Sequence, residues 1–392
     1  MPRRTAVLRL KRGREQRARV HPWIFKGDVG DASDVAPGGV VTVLDSGGRF
    51  VGRGFFNPQP ALCCRIVTWE DEPVDARLLG QRLATAVDAR AGDGAVPEVG
   101  RLVWSEADGL PGLAVDRYGP VLALQCMTLG MARVRDDIVR ALRTRLGDLA
   151  VFNVDDAVVA HLEGFEPVVG WLDRAGPDEI VVDEQGVRLA VRPGLGHKTG
   201  LYLDQADNRA RVGAAAGEGD VLDVFAYTGG FACHALRSGA RHAVCVESSP
   251  EAIAGARRNL ELNGFAERAE IRAVNAFDEL RRLDRERARF ELIVLDPPPF
   301  ARSRSAVEAA LRGYKEINLR ALRLLAPGGR LATFSCSHHV DATTFEATVR
   351  DAATDAGIRL RLLTTLPQPT DHPVLLTVPE TRYLKGLLLQ AM

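Results

Sequence analysis

Residues 223–231 read Asp-Val-Phe-Ala-Tyr-Thr-Gly-Gly-Phe, where a predicted strand ends in a glycine turn and a helix begins. Glycines let the backbone approach a ligand closely at such a turn, and the helix N-terminus contributes N–H groups. The next predicted strand closes at Glu247, whose carboxylate can hold two ribose hydroxyls. This layout fits a dinucleotide or S-adenosylmethionine, although an ordinary tight turn has the same pattern. The G-x-G-x-x-G and P-loop fingerprints are missing, which counts against a nicotinamide cofactor and against a P-loop.

Strands and helices alternate around this turn. Ser249 is a predicted N-cap with Pro250 at the first helical position, and Asn263-Gly264 is a typical helix end. Alternation of this kind predicts an α/β fold with a parallel, doubly wound sheet. In chain order the predicted elements are strand 221–227, helix 231–238, strand 243–247, helix 250–263, strand 270–274, helix 277–283, strand 290–295, helix 305–325, strand 330–335, helix 342–356 and two closing strands.

Two further loops follow predicted strands. Residues 296–300 read Asp-Pro-Pro-Pro-Phe, and the prolines stiffen the loop and leave its carbonyls as acceptors for a flat base. A simple strand terminator is the alternative. Residues 335–339 read Ser-Cys-Ser-His-His and follow the neighbouring strand. Because ligands bind outside the carboxyl ends of parallel strands, we expect all three loops to face one crevice.

Cys336 is a candidate nucleophile in that crevice. The C5 carbon of a pyrimidine is too weak a nucleophile to attack a methyl sulfonium, but addition of a thiolate to C6 activates it. Asp296 could stabilise the charge that develops at N3, and the target base must leave its helix to reach the pocket. Four of the other cysteines are expected to be small buried apolar side chains: Cys63, Cys126, Cys233 and Cys245.

The N-terminal half has a different pattern. Short strands separated by turns predict a small β-barrel over residues 1–73, and mixed strands and helices predict an α+β middle domain over 74–190. The doubly wound domain then spans 191–392. Residues 1–20 contain eight basic residues and one acidic residue, which favours contact with nucleic acid.

The overall composition of the 392 residues is that of a folded protein, with 46% hydrophobic residues and 51 basic against 51 acidic side chains. Only five of the basic residues are lysine, an excess of arginine that we attribute mainly to composition bias. No apolar run is long enough to span a membrane, and the first residues lack the apolar core of a signal peptide. We therefore expect a cytoplasmic protein with no membrane partner. No Cys/His set has zinc spacing, so no metal is expected.

In these motifs the chain resembles the class I S-adenosylmethionine-dependent large-subunit ribosomal RNA methyltransferases of the cytosine-C5 type. The resemblance covers nearly the whole chain. It implies a Rossmann-like seven-stranded methyltransferase domain, preceded by a PUA-like RNA-binding barrel and the middle domain. It also implies S-adenosylmethionine as cofactor and large-subunit ribosomal RNA as partner, with a homodimer left open. The further motifs are 21–25 (HPWIF), 106–113 (EADGLPGL), 198–205 (KTGLYLDQ), 312–318 (RGYKEIN) and 379–385 (PETRYLK).

The resemblance assigns roles by position, with Cys336 as nucleophile and Asp296 near the sulfonium and the base. The implied cofactor residues are Tyr227, Thr228, Gly229, Gly230, Glu247, Ser248, Asn275, Ala276, Asp296, Lys198, Asp204, Gln205 and Arg209. The candidate RNA contacts are Arg9, Lys11, Arg14, Trp23, Pro297, Pro298 and Phe300.

Two positions depart from the family pattern, which usually has Asp where this chain has Asn275 and often has Lys at Pro299. The base that removes the C5 proton is unassigned, with His338 as one candidate. Two alternatives stay open. One is methylation of a guanine or adenine nitrogen, which needs no thiol. The other is an RNA-binding ribosome-assembly factor.

Overall fold

The structure, a computed structural model, describes residues 6–92, 94–194, 199–301 and 303–392. The chain divides into two compact units. The N-terminal unit comprises Met1–Ile180, Val191–Leu201 and Thr370–Thr381, and the C-terminal unit comprises Val181–Ala190, Tyr202–Pro369 and Arg382–Met392. Each unit buries its own apolar clusters.

The first sheet of the N-terminal unit has six strands, which confirms the β-rich prediction for this region. Its order is β2-β6-β5-β4-β1-β3, with β1 parallel to β4 and the other pairs antiparallel. A short helix, α1 (Glu15–Ala18), was not predicted. The strands are β1 (Ala6–Leu10), β2 (Trp23–Phe25), β3 (Val29–Ala32), β4 (Gly39–Leu44), β5 (Phe50–Phe56) and β6 (Leu62–Thr68).

The second sheet of this unit has the order β11-β10-β9-β8-β7, and helices accompany it, in agreement with an α+β pattern. Its buried charge is paired locally, since Arg101 donates two hydrogen bonds of 2.7 and 2.8 Å to Asp116. The domain boundaries after residues 73 and 190 stay predictions. The elements are α2 (Ala76–Ala89), β7 (Val99–Trp104), β8 (Leu113–Tyr118), β9 (Val121–Cys126), α3 (Leu129–Arg133), α4 (Arg135–Leu146), β10 (Ala150–Val154), α5 (Ala157–Glu163) and β11 (Val169–Trp171).

A two-stranded sheet, β12 (Ile180–Glu184) and β13 (Val187–Val191), comes next in the chain. The elements that follow alternate as predicted. They are α6 (Ala206–Ala214), β14 (Asp220–Val224), α7 (Gly230–Arg237), β15 (His242–Glu247), α8 (Pro250–Leu262), β16 (Ala269–Ala273), α9 (Ala276–Glu286), β17 (Phe290–Leu295), α10 (Val307–Leu324), β18 (Leu325–Ser335), α11 (Ala342–Ala356), β19 (Leu360–Thr365) and β20 (Lys385–Ala391).

The sheet of the C-terminal unit has seven strands in the order β16-β15-β14-β17-β18-β20-β19, which confirms the predicted Rossmann-like α/β fold. The first five strands are parallel, and β20 runs antiparallel between β18 and β19. The carboxyl ends of β14, β15, β17 and β18 therefore meet at one edge. In α/β sheets, ligands bind at this edge.

Two predicted boundaries differ from the structure for local reasons. The strand expected to reach residue 227 ends at Val224, because Phe225 and Tyr227 have φ angles of 64° and 49°, outside the extended region. The helix expected to reach residue 325 ends at Leu324, because Leu325 is extended and pairs with Phe290. Within the described ranges, no helix is both long enough and apolar enough to cross a membrane.

Candidate active site

The glycine turn after β14 leads directly into helix α7, and the carboxylate of Glu247 holds its backbone in place. Gly229 has a φ of 72°, and α7 begins at Gly230. Glu247, at the end of β15, accepts a hydrogen bond of 2.9 Å from the N–H of Tyr227 and two more from the N–H groups of Ser248 and Ser249. A carboxylate has about four acceptor positions, so these bonds fix Glu247 and leave room for a further donor.

Glycine is required at position 230 by a close neighbour. A Cβ there would lie 2.7 Å from Cδ of Arg209, so a larger residue would displace that side chain or close the turn. Beneath the turn, Asp223 is fully buried, and burial raises its pKa to about 7. One of its oxygens accepts from the N–H of Ala232, while Oδ1 has no hydrogen-bond partner among the described residues. The glycine turn, the anchored carboxylate of Glu247 and this Oδ1 atom of Asp223 together fit a nucleoside-bearing cofactor.

Asn275 and Ala276 lie at the next strand end along the same edge, because Glu247 pairs with Ala273 of β16. The Oδ1 atom of Asn275 caps α9 by accepting from the N–H groups of Phe277 (2.9 Å) and Asp278 (3.4 Å). The side-chain carbonyl is therefore already used to start the helix. The cap works with Asn as well as with Asp, but it removes the charge that the family pattern places beside adenine.

Asp296 lies at the end of β17, and the predicted segment at residues 204–205 is brought to it. Gln205 donates a hydrogen bond of 3.0 Å to Oδ1 of Asp296, and Asn208 orients the Gln205 amide by donating to its carbonyl oxygen at 2.7 Å. Asp204 accepts a hydrogen bond of 2.6 Å from the hydroxyl of Tyr383. The structure thus groups Asp204 and Gln205 with Asp296, while Lys198 lies outside the described residues.

Arg209 is placed differently from the other predicted cofactor residues. It is buried, and it donates to both oxygens of Glu184 at 2.6 and 2.7 Å and to the carbonyl of Tyr202 at 3.0 Å. Burial opposes ionisation of Glu184, but Arg209 and His234 outweigh it and hold the pKa of Glu184 at about 2. These contacts make Arg209 a residue that fixes the Tyr202 segment.

Cys336 follows β18 and is the partly exposed cysteine of the six. Its Sγ donates to the carbonyl oxygen of Pro297 at 3.8 Å, which brings the thiol to the Asp296 loop as the sequence predicts. The flanking Ser335 and Ser337 are buried and hydrogen-bonded to the Tyr314 hydroxyl at 3.0 and 2.9 Å. These two hydroxyls anchor the loop on either side of the thiol.

The other five cysteines are buried, as predicted for Cys63, Cys126, Cys233 and Cys245. Burial raises the pKa of Cys63 to about 11 and those of Cys126 and Cys233 to about 12, which makes them poor nucleophiles.

Lys385 is a residue of this edge that the sequence analysis did not assign. It begins β20, and its Nζ donates to the carbonyl oxygens of Ser337 and Tyr383, both at 2.7 Å. The signal that could have found it is composition, since lysine occurs only five times and this one lies inside the 379–385 motif.

The candidate RNA contacts fall into two groups. In the N-terminal unit, Arg9, Lys11 and Arg14 lie on and just after β1, and Trp23 donates to Glu106 at 2.8 Å. In the C-terminal unit, Pro297 is buried and Pro298 is exposed. The Phe300 ring lies 4.7 Å from that of Tyr314 and packs against the apolar cluster of this unit. Over the described ranges, no group of three or more His, Cys, Asp or Glu residues could hold a metal ion.

Comparisons with known proteins bear on both units. Residues 8–69 match the model of a PUA-like domain, and residues 137–389 match that of an S-adenosylmethionine-dependent methyltransferase. Proteins named ribosomal RNA large subunit methyltransferase I are 37% identical in Alteromonas mediterranea (94% of each chain covered) and 38% identical in Klebsiella pneumoniae strain 342 (98% of each).

Two solved structures share the fold over 98% of this chain and 99% of theirs. One is a Streptococcus mutans protein assigned as a SAM-dependent methyltransferase, with a TM-score of 0.84 at 18% identity. The other is a methyltransferase complexed with SAH, with a TM-score of 0.85 at 19% identity.

Proposed function

This chain belongs to the S-adenosylmethionine-dependent methyltransferases, in the family of ribosomal RNA large subunit methyltransferase I, and on that premise we propose that it methylates C5 of a cytosine in large-subunit ribosomal RNA. The observation that supports the cytosine-C5 chemistry is the position of Cys336. It is partly exposed, it follows β18, which lies next to the central strand β17, and its thiol contacts the loop that begins with Asp296. Methylation of a base nitrogen would leave a thiol at this position without a role.

The cofactor supplies an electrophilic methyl group on a sulfonium. In the proposed reaction, Sγ of Cys336 donates an electron pair to C6 of cytosine. The C5=C6 π electrons shift through C4 onto N3, and Asp296 donates a proton to N3. C5 then accepts the methyl group, and the N3 proton returns to Asp296. A base removes the C5 proton, the C5–C6 double bond re-forms, and Sγ leaves with its electron pair. The net products are 5-methylcytosine, the thioether of the cofactor and one proton.

The proposed cofactor pocket uses the turn at 227–230, Glu247 with Ser248, and Asn275 with Ala276. Glu247 would accept from the ribose hydroxyls, since it retains acceptor capacity after its three backbone bonds. Asp204 and Gln205 would lie at the methionine end, and Arg209 would support them through Tyr202, while the predicted role of Lys198 falls outside the described residues. The proposed RNA contacts are the seven named above, with Phe300 acting through the packing of its loop.

The test is to incubate unmodified large-subunit ribosomal RNA with methyl-labelled S-adenosylmethionine and to identify the labelled nucleoside by mass spectrometry. Wild type should yield 5-methylcytidine, and Cys336→Ala should yield none while binding S-adenosylmethionine normally. Cys233→Ala, which removes a buried thiol from the same unit, is the matched control and should stay active. Methylguanosine or methyladenosine made equally by wild type and Cys336→Ala would overturn the thiol mechanism.

A trapping experiment tests the covalent step directly. RNA that contains 5-fluorocytidine has no C5 proton to lose, so the enzyme should remain bonded to C6 after methyl transfer. We expect a denaturation-resistant protein–RNA species with wild type and none with Cys336→Ala. Tight RNA binding without transfer to any RNA would instead favour the assembly-factor alternative.

A further inference from the structure

Lys385 is held beside the Cys336 loop by the strand register. It pairs with Ser335 across β18 and β20, so its backbone lies next to the residue that precedes Cys336. Its half-buried ammonium donates to the carbonyl of Ser337, the residue after Cys336, and to that of Tyr383, both at 2.7 Å. An ammonium has three N–H donors, and these two bonds account for two of them.

We propose that Lys385 is a positioning residue whose positive charge favours ionisation of the Cys336 thiol. This inference rests on the proposed function, because it assigns the electrostatic partner of the same nucleophile. Its acceptors are neutral carbonyls, which orient the ammonium without neutralising it. The positive charge therefore remains to act on the sulfur atom between the two anchored serines.

The electrostatics of the pair agree with this geometry. Burial lowers the pKa of Lys385 to about 8, while Cys336 and Asp341 act in the opposite direction and raise it. A Coulomb interaction is mutual, so an ammonium that the thiolate stabilises also stabilises the thiolate. At neutral pH Lys385 is protonated, and it loses its proton only as the pH rises through about 8.

The tyrosines and carboxylates around the thiol do not supply a positive charge, and the other cationic side chains on this loop are His338, whose ring lies 5.7 Å from that of Tyr383, and His339. Burial raises the pKa values of Tyr202 and Tyr314, both of which interact with Cys336, so these hydroxyls stay neutral at physiological pH. Asp204 and Asp296 interact with the same Tyr202, and Asp341 is held ionised by the N–H groups at the start of α11. Negative neighbours oppose a thiolate, which makes a nearby cation the more important.

The proton balance of the step is simple. When Cys336 ionises, its thiol proton passes to solvent and its hydrogen bond to the carbonyl of Pro297 is lost, while Lys385 keeps its own three protons and no bond to carbon forms. When RNA is bound, Sγ attacks C6 without a separate deprotonation. The step needs no co-reactant other than water.

The test is the pH dependence of the alkylation of Cys336 by iodoacetamide, followed by mass spectrometry of the peptide that contains it, in the full chain without RNA. Only the thiolate reacts, so the rate midpoint reports its formation. In Lys385→Gln the midpoint should rise by about one pH unit, and the rate at pH values below both midpoints should fall about tenfold. Lys385→Arg, which keeps the charge, should restore most of the rate.

Lys315→Gln is the matched control. Lys315, on helix α10, pairs with Asp355 of helix α11 at 2.8 Å, so the alkylation midpoint of this variant should equal that of wild type. Protection of the five buried cysteines reports whether each variant is folded. An unchanged midpoint in folded Lys385→Gln would overturn the inference, as would a folded Lys385→Arg that behaves like Lys385→Gln. If Lys385→Gln does not fold, the alkylation midpoints of Lys385→Arg and Lys385→Met are compared, and equal midpoints in the two folded variants would overturn the inference.

The outcome is separable from that of the proposed function. A shifted midpoint together with a methylated purine would leave the Lys385–Cys336 pair standing and remove the cytosine-C5 assignment. Formation of 5-methylcytidine with an unshifted midpoint would support the cytosine-C5 assignment and remove the Lys385–Cys336 pair.

Discussion

Two cations of the C-terminal unit, the buried Arg209 and the half-buried Lys385, are held by acceptors of different charge. Arg209 donates to both oxygens of Glu184, whereas Lys385 donates to the carbonyls of Ser337 and Tyr383. A carboxylate neutralises the cation and fixes its geometry with two bonds, so the first pair serves the fold. A carbonyl fixes the position but leaves the charge, so the second arrangement can act on a neighbouring group. We infer that, in this unit, a cation bound by a carboxylate has a structural role, whereas a cation bound only by carbonyls can act on a neighbouring functional group.

The largest test of this comparison removes the charge of Glu184. Glu184→Gln leaves the buried Arg209 guanidinium without its counter-ion, and breaking a buried pair in this way costs about 3–5 kcal/mol. Urea unfolding followed by far-UV circular dichroism measures it, because all four tryptophans lie in the N-terminal unit and would report on the wrong part of the chain. Asp220→Asn, which breaks the exposed pair with Arg241, should change stability little. Equal losses in the two variants would contradict the comparison.

The same pair predicts a pH dependence with a defined sign. The pKa of Glu184 is about 2 in the folded state and near the ordinary glutamate value of 4.5 when unfolded, so its contribution is fully present above pH 4.5 and is lost as the pH falls towards 2. The stability difference between wild type and Glu184→Gln should therefore shrink as the pH falls from 5 to 3. Asp223 has the opposite sign, since its raised pKa favours the folded state at low pH, but it is present in both proteins and cancels. A difference that grows on acidification would contradict the assignment.

The sequence predicted the elements whose signals are local. Helix α8 begins at Pro250 after its Ser249 cap, and β17 and α11 have the predicted bounds. The three site loops also follow from the rule that parallel strands end at one edge. The positions of Arg209 and Lys385 did not follow, because their partners lie 25 and 48 residues away along the chain. Strand register brings Lys385 to the Cys336 loop, and the packing of helix α6 brings Arg209 to Glu184, so a motif can name these residues without giving their role.

A smaller effect is expected where a neutral acceptor stands in place of a charged one. Asn275→Asp should keep the cap of α9, because either side chain accepts from the N–H groups of Phe277 and Asp278. The added charge should strengthen the contact with the adenine amine and lower the Kd for S-adenosylmethionine several-fold, about 1 kcal/mol or less. Isothermal titration calorimetry measures this change. Asn275→Ala is the control and should lose about 1 kcal/mol of stability with its cap. Unchanged or weaker cofactor binding in Asn275→Asp would place the adenine amine elsewhere.

The smallest effect concerns the surface of the N-terminal unit, where the same distinction between acceptors applies. Lys11 donates to the carbonyl of Gly27 at 2.9 Å, whereas Arg49 pairs with the carboxylate of Asp45 at 2.7 Å. If a carbonyl-bound cation keeps its charge for a partner, Lys11→Gln should weaken binding to a ribosomal RNA fragment a few-fold. It should also reduce the slope of log K against log salt by about 0.7–0.9, the value for one phosphate contact. Arg49→Gln should leave the slope nearly unchanged, because Asp45 already neutralises that charge. Equal changes in the two variants would confine the distinction to buried sites, where water does not screen the charge.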